Sequence, residues 1–266
     1  MLLNYITWDI NPEIIRIGAL SIRYYGVLWA LSFFLGYKIF ERFVKREQLP
    51  DGFLDSLVLY TALGTIIGAR LGHCLFYEPS YYLSNPIEML KIWRGGLASH
   101  GAAIGIPVAL YLFARKHKVP FVYVLDRVVI TVALAGAFIR LGNLMNSEIY
   151  GVETALPWGF IFVRDGQDVP RHPTQLYEAL AYFLTYISIH ITYIKAKGKP
   201  KPGLIFGVFL VCIFAMRFLI EHIKVPQVAF EESLRFNMGQ LLSIPFILVG
   251  IWLIGRSIYF IPRKGD

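Results

Sequence analysis

Seven long apolar runs divide the chain, at about Tyr24–Phe40, Phe53–Phe76, Leu97–Ala114, Phe121–Met145, Thr174–Ile194, Gly203–Ile220 and Met238–Phe260, with short polar connectors between them. A helix needs about 20 largely apolar residues to cross the hydrocarbon core of a bilayer. The expected fold is therefore an all-α integral membrane protein of about seven transmembrane helices, a single polytopic domain over residues 1–266. Composition agrees. Of 266 residues 56% are hydrophobic and 17% charged, against about 25% charged in soluble domains, too few to coat a surface that meets only water. Phe, Trp and Tyr make up 15%, in keeping with interfacial aromatic belts. The second and fourth runs are the least clean, since they carry Arg70 and Arg140.

The connectors set the orientation. Alternate ones are short and basic: Arg42, Lys45 and Arg46; Arg115, Lys116 and Lys118; Lys195, Lys197, Lys199 and Lys201; Arg256, Arg263 and Lys264. The others are longer and hold acidic residues such as Glu78, Glu88, Glu153, Asp165, Asp168, Glu231 and Glu232. The positive-inside rule puts the basic set in the cytoplasm, so the N-terminus lies outside and the C-terminus inside, as an odd number of spans requires. The formal charge of +8 is thereby accounted for without nucleic acid. Residues 1–11 lack a basic start, so the first run reads as a retained helix rather than a cleaved signal. Cys74 and Cys212 both lie in apolar runs, and no disulfide is expected.

Two outer segments, about 1–23 and 147–172, form a small extracytoplasmic cap with short β-strands. Glu13–Arg23 reads as two strand-like pieces around Ile17-Gly18, and Trp158–Val163 as a strand before an Asp165-Gly166 turn. A weak internal echo places Glu78 after Arg70-Leu71-Gly72 at the same offset as Glu148 after Arg140-Leu141-Gly142. It is either a remnant of duplication or a chance likeness of two apolar stretches.

Given this orientation, Arg70, Arg140 and Arg217 fall near the outer ends of their helices, as do Tyr25, His100, Glu178 and Gln240. Charges inside a membrane cost at least about 2.5 kcal/mol each and need a partner or a purpose. The inner halves hold little besides Asp55, Asp126 and Arg127, which disfavours a transport path strung across the midplane. A one-sided layer with three arginines suits an anion at the outer surface, since arginine binds phosphate through a planar, permanently charged fork. In a bilayer that anion is a phospholipid head group. Arg140, Asn143 and Asn146 repeat at i, i+3 on one helix face. Arg217 and Glu221 stand at i, i+4, a spacing equally fit for a structural salt bridge. His100 follows Gly95-Gly96-Leu97-Ala98-Ser99, a glycine-rich lead-in that allows close backbone approach.

Gly96-Leu97-Ala98-Ser99-His100-Gly101, the stretch Arg140–Glu148 with Gly151, and Arg171-His172-Pro173-Thr174-Gln175-Leu176-Tyr177-Glu178 closely resemble the signature stretches of the prolipoprotein diacylglyceryl transferases. Tyr25-Gly26 and Arg217–Glu221 are similar to that family too, and the likeness runs nearly end to end. The resemblance implies a multi-pass enzyme of the bacterial plasma (inner) membrane. It would move the diacylglyceryl group of phosphatidylglycerol onto the lipobox cysteine of a preprolipoprotein signal peptide, forming a thioether and releasing glycerol-1-phosphate. It implies Arg140 as the phosphatidylglycerol-binding arginine and Arg217 as a second essential one. Tyr25, Asn143, Asn146, Glu148, Gly151 and Glu221 would hold the head group or orient the arginines.

The reaction is displacement at carbon by a thiol whose ordinary pKa of about 8.5 calls for a base near neutrality. By residue type His100 is the candidate base, with a contact to the lipid as its other role. Fixed cations stabilise the phosphate leaving group. An intramembrane hydrolase is disfavoured because Ser99 and His100, adjacent on a helix, point about 100° apart. A phospholipid transporter or flippase wants midplane polar groups. A Mg²⁺-dependent phosphotransferase wants clustered carboxylates, and the nearest pair, Asp51 and Asp55, lies on the inner side. No metal or cofactor is expected, and the enzyme is expected to be a monomer.

Overall fold

The computed structural model describes residues 5–225 and 236–259. Phe260, Arg263 and Lys264, as well as Glu231, Glu232 and residues 1–4 of the expected cap, lie outside them. Strand β1 (Ile6–Trp8) and the hairpin β2 (Glu13–Ile17) and β3 (Leu20–Arg23) precede α1 (Tyr24–Glu47) and α2 (Phe53–Phe76). A short α3 (Pro79–Ser84) and two 3₁₀ turns lead to α4 (Ser99–Lys116) and α5 (Phe121–Met145). Strand β4 (Phe160–Phe162), α6 (Thr174–Lys195), α7 (Leu204–Glu221) and α8 (Met238–Tyr259) complete the order. The long helices follow the apolar runs. The largest difference is at α1, which continues past Phe40 because its extension is built of helix formers and closed by an i, i+4 pair, Lys45 to Glu41 at 3.0 Å.

Four of the helices, α2, α5, α7 and α8, are long and apolar enough to cross a membrane by length and composition. The long helices turn large apolar side chains outward, among them Phe33 and Phe34 on α1, Leu59 and Ile67 on α2, and Ile251 and Trp252 on α8. Water would expel such a surface, whereas lipid accepts it. The chain is a membrane protein.

The chain divides into two compact units, Glu41–Leu125 and the pair of segments Met1–Phe40 with Asp126–Asp266. In the first unit α2 packs on α4 almost backbone to backbone. Gly64, Gly68 and Gly72 recur every four residues on α2 and meet Gly101 and Gly105 of α4. A Cβ added at Gly101 would lie 2.0 Å from the Gly68 carbonyl oxygen, and one at Gly105 2.2 Å from that of Gly64. Small residues at this spacing are what let membrane helices approach closely. Farther along the pair, Phe53 and His117 close on Phe113.

In the second unit α7 packs against both α6 and α8. Asp126, 1% exposed, accepts hydrogen bonds from the Gly203 and Phe206 amides, both at 2.8 Å. It thus caps the start of α7 from a distance, satisfying amides that the helix itself leaves open. Arg127 donates to the Gly198 carbonyl at 3.0 Å. The β2–β3 hairpin forms where the Glu13–Arg23 pattern places it, turning at Gly18 with φ +59°. Strand β4 instead pairs in parallel with β1, joining Ile6 to Phe160 and Trp8 to Phe162. Trp8, Tyr150 and Leu176 pack around Leu144, Phe160 and Phe162. The Trp8 indole donates to the Leu144 carbonyl at 3.0 Å, which fixes this small core to the end of α5.

Candidate active site

The site is built on the turn that leaves α5. Ser147 and Ile149 both hold positive φ, 54° and 61°, a conformation costly for a β-branched residue. What holds it is the start of α6. Thr174 Oγ1 donates to the Ile149 carbonyl at 2.8 Å, and Gln175 Nε2 to the Glu148 carbonyl at 2.6 Å; both side chains are fully buried. The turn sends Glu148 back over the last turn of α5. There Asn143 and Asn146 donate to its Oε1 at 2.8 and 3.2 Å.

Gly151 lies just beyond. Its amide donates to the His172 carbonyl, and the next amide, of Val152, donates to the Ile223 carbonyl, both at 2.8 Å. A Cβ on Gly151 would lie 2.3 Å from the Ile223 oxygen, so only glycine lets the segment after α7 approach this closely. Burial pushes the half-buried His172 imidazole below its ordinary pKa. Nearby, Tyr150 donates to Asp165, and its hydroxyl is pushed up to about 12, first by burial and then by that hydrogen bond.

Arg140 sits one turn before Asn143, and its Nη1 reaches the Asn143 Oδ1 at 3.4 Å. Its Nε lies 3.1 Å from Glu178 Oε2, an ion pair that lacks the alignment of a hydrogen bond. The other oxygen, Glu178 Oε1, accepts a well-formed 2.8 Å hydrogen bond from Lys224 Nζ. Lys224 in turn stands 3.6 Å from Glu221 Oε2. A chain of alternating charge therefore runs Arg140–Glu178–Lys224–Glu221, with side-chain exposures of 18, 4, 8 and 14%. The Glu221 carboxyl fits under Gly239, which has no side chain to exclude it.

Arg217 joins the same neighbourhood differently. It lines a cleft between α6 and α7 with Glu178, Tyr182, Ile213 and Met216, so that charge lies at one part and apolar wall along the rest. Arg217 and Glu221 do not form the i, i+4 salt bridge their spacing allows; Glu221 pairs with Lys224 instead. Tyr25 packs its ring on Gly142, where a Cβ would come within 2.6 Å of it. One compact unit thus brings together Arg140, Asn143, Asn146, Glu148, Gly151, Arg217, Glu221 and Tyr25.

His100 belongs to the other unit. It is exposed in the first turn of α4, and the backbone leading to it is firmly held. The Ala98 amide donates to the Ala69 carbonyl at 2.9 Å. Arg70, 4% exposed, donates to the carbonyls of Glu88, Met89, Gly95 and Gly96 at 2.5–3.2 Å. Its guanidinium also lies over the Tyr82 ring, 5.0 Å from the centroid. Arg70 thus departs from the expected layer of anion-binding arginines: its charge is consumed by backbone carbonyls. Gln240 departs likewise, since it exchanges hydrogen bonds with Asn237 as a capping box for α8.

Sequence reasoning gave no role to Lys224 as the partner of Glu178, to Thr174 and Gln175 as holders of the turn, or to the glycine faces of α2 and α4. Only the last had a readable signal, small residues every fourth position. Among the described residues no three His, Cys, Asp or Glu side chains gather in a way that could hold a metal ion.

Residues 12–256 match the family model described as prolipoprotein diacylglyceryl transferase. The chain is 47% identical to a phosphatidylglycerol–prolipoprotein diacylglyceryl transferase of Tolumonas auensis, over 93% of this chain and 95% of the relative. Proteins of the same name from Porphyromonas gingivalis and Chloroherpeton thalassium are 46% and 43% identical, each over 96% of this chain and 95% of its own length.

Proposed function

Because the chain belongs to the prolipoprotein diacylglyceryl transferase family, we propose that Arg140 and Arg217 bind the phosphate of phosphatidylglycerol and that His100 activates the accepting thiol. The enzyme is a transferase of lipoprotein maturation, moving diacylglyceryl from phosphatidylglycerol to prolipoprotein. It works as a monomer in the bacterial plasma membrane, a polytopic domain of about seven spans with the N-terminus and the site toward the outer leaflet.

In the reaction the lipobox cysteine sulfur forms a bond to the diacylglyceryl carbon as the bond from that carbon to the phosphate oxygen breaks. The thiol proton passes to His100, and the electron pair leaves with glycerol-1-phosphate. Negative charge gathers on the leaving phosphate in the transition state, so preorganised cations lower the barrier. One observation carries this reading. Arg140 is fixed in a frame of Glu178 and Asn143, yet its guanidinium makes no well-formed bond to the carboxylate. A planar cation so held is ready for a phosphate. Glu148 is held by Asn143 and Asn146, where it can accept from the glycerol hydroxyls of the head group, while Tyr25, Gly151 and Glu221 set the frame.

The test is transfer to a lipobox peptide, read as a mass gain of one diacylglyceryl group. Normally inserted Arg140→Ala and His100→Gln proteins are expected to lose at least about a hundredfold in rate; wild-type rates would remove both roles. Arg140→Lys keeps the charge and loses the fork, so full activity in that variant would exclude bidentate phosphate binding.

A further inference from the structure

We infer that Lys224 is a positioning residue for phosphatidylglycerol binding, which occupies Glu178 and so keeps the Arg140 guanidinium open to the lipid phosphate. The inference rests on the reading of Arg140 as the phosphate ligand. Glu178 is almost wholly buried and lies between two cations. It divides itself unevenly between them, with an aligned 2.8 Å hydrogen bond to Lys224 and an unaligned 3.1 Å approach to Arg140. A buried carboxylate seeks full pairing, and beside an arginine its best geometry is the two-pronged one. Without Lys224, both oxygens of Glu178 are free to turn onto Arg140. The fork is then filled by the protein's own anion, and a lipid phosphate has to displace it.

Charge leads to the same result. Arg140, Arg217 and Lys224 balance Glu148, Glu178 and Glu221, so an anionic head group meets a neutral site; removing Lys224 leaves it negative. The lysine cannot reach this place by chance of a loose tail. Its segment is drawn in through the Val152–Ile223 hydrogen bond, the space at Gly151 and the bridge from Gly151 to Lys224.

The experiment measures KM for phosphatidylglycerol and kcat separately, on full-length enzyme in mixed micelles. Lys224→Met is expected to raise KM by about tenfold or more with kcat changed less than about threefold. Lys224→Arg, which restores a cation to Glu178, is expected to recover most of the affinity. In Lys224→Met with Glu178→Gln, the competing anion is gone and KM returns to that of Glu178→Gln alone. A KM unchanged in Lys224→Met overturns the inference. So does a double variant weaker than Glu178→Gln, since the lysine would then be touching the lipid itself. That last comparison decides the matter even if Lys224→Met alone fails to accumulate. Arg140→Gln in parallel separates the two levels. If it leaves KM unchanged, the phosphate role of Arg140 falls; if it raises KM while Lys224→Met does not, only the lysine's role falls.

Discussion

Single residues in this protein divide into those that carry charge to a ligand and those that spend it on the fold. Arg140 and Arg70 show the contrast. Both stand near the ends of apolar helices and both begin an Arg-Leu-Gly triplet, yet one faces a carboxylate and an asparagine and the other four backbone carbonyls. The sequence makes them alike because the difference lies in what folds back over each. Lys224 was illegible for the same reason: a lysine just after a helix reads as an ordinary terminus, and its partner Glu178 is 46 residues away. His172 gives a prediction at this scale. Burial lowers its pKa in the folded protein, while the unfolded chain keeps about 6.5. Above that value both states are neutral. As pH falls through it, the unfolded state takes up a proton that the folded state refuses, so stability drops toward acid. Thermal unfolding of the purified protein should therefore show a smaller loss between pH 7.5 and 5.5 in His172→Gln than in wild type. Equal losses would show that His172 does not contribute to acid sensitivity.

At the scale of elements, the helices were readable because lipid imposes long apolar runs, and the β2–β3 hairpin because its turn is local. The β1–β4 pairing was not readable. It is a parallel contact between segments at the two ends of much intervening chain, and three-residue strands carry no periodic signal of their own. The α2–α4 interface was readable in principle, from glycines four apart. It predicts a steep cost for the smallest change. In Gly101→Ala the new methyl meets the Gly68 carbonyl, which is backbone and cannot swing aside. A loss of about 1–3 kcal/mol is expected, seen as a lower midpoint of unfolding in detergent. Gly255→Ala on α8 makes the control, since a Cβ there meets nothing within 4 Å and the backbone is helical. If Gly101→Ala unfolds at the wild-type midpoint, the two backbones do not touch as described.

For the whole molecule, the alternation of basic and mixed connectors predicts sidedness. A cysteine placed at exposed Trp158 should react with an impermeant maleimide in intact cells, and one at exposed Lys197 only after the membrane is opened. The reverse pattern would invert the orientation. Assembly of the molecule is constrained by one feature already described, the hold of Arg70 on the strap from Glu88 to Gly96. A ribosome makes Arg70 first and those carbonyls 18 to 26 residues later. Until they emerge, α2 carries a cation that costs about 2.5–3.5 kcal/mol in the bilayer centre and less near its surface. The strap supplies its solvation, and α4 follows at once with the glycines that seal against α2. The translocation machinery thus receives in α2 a segment whose residence in lipid is completed by chain that has yet to be translated, so α2 and α4 are best regarded as a single unit of insertion.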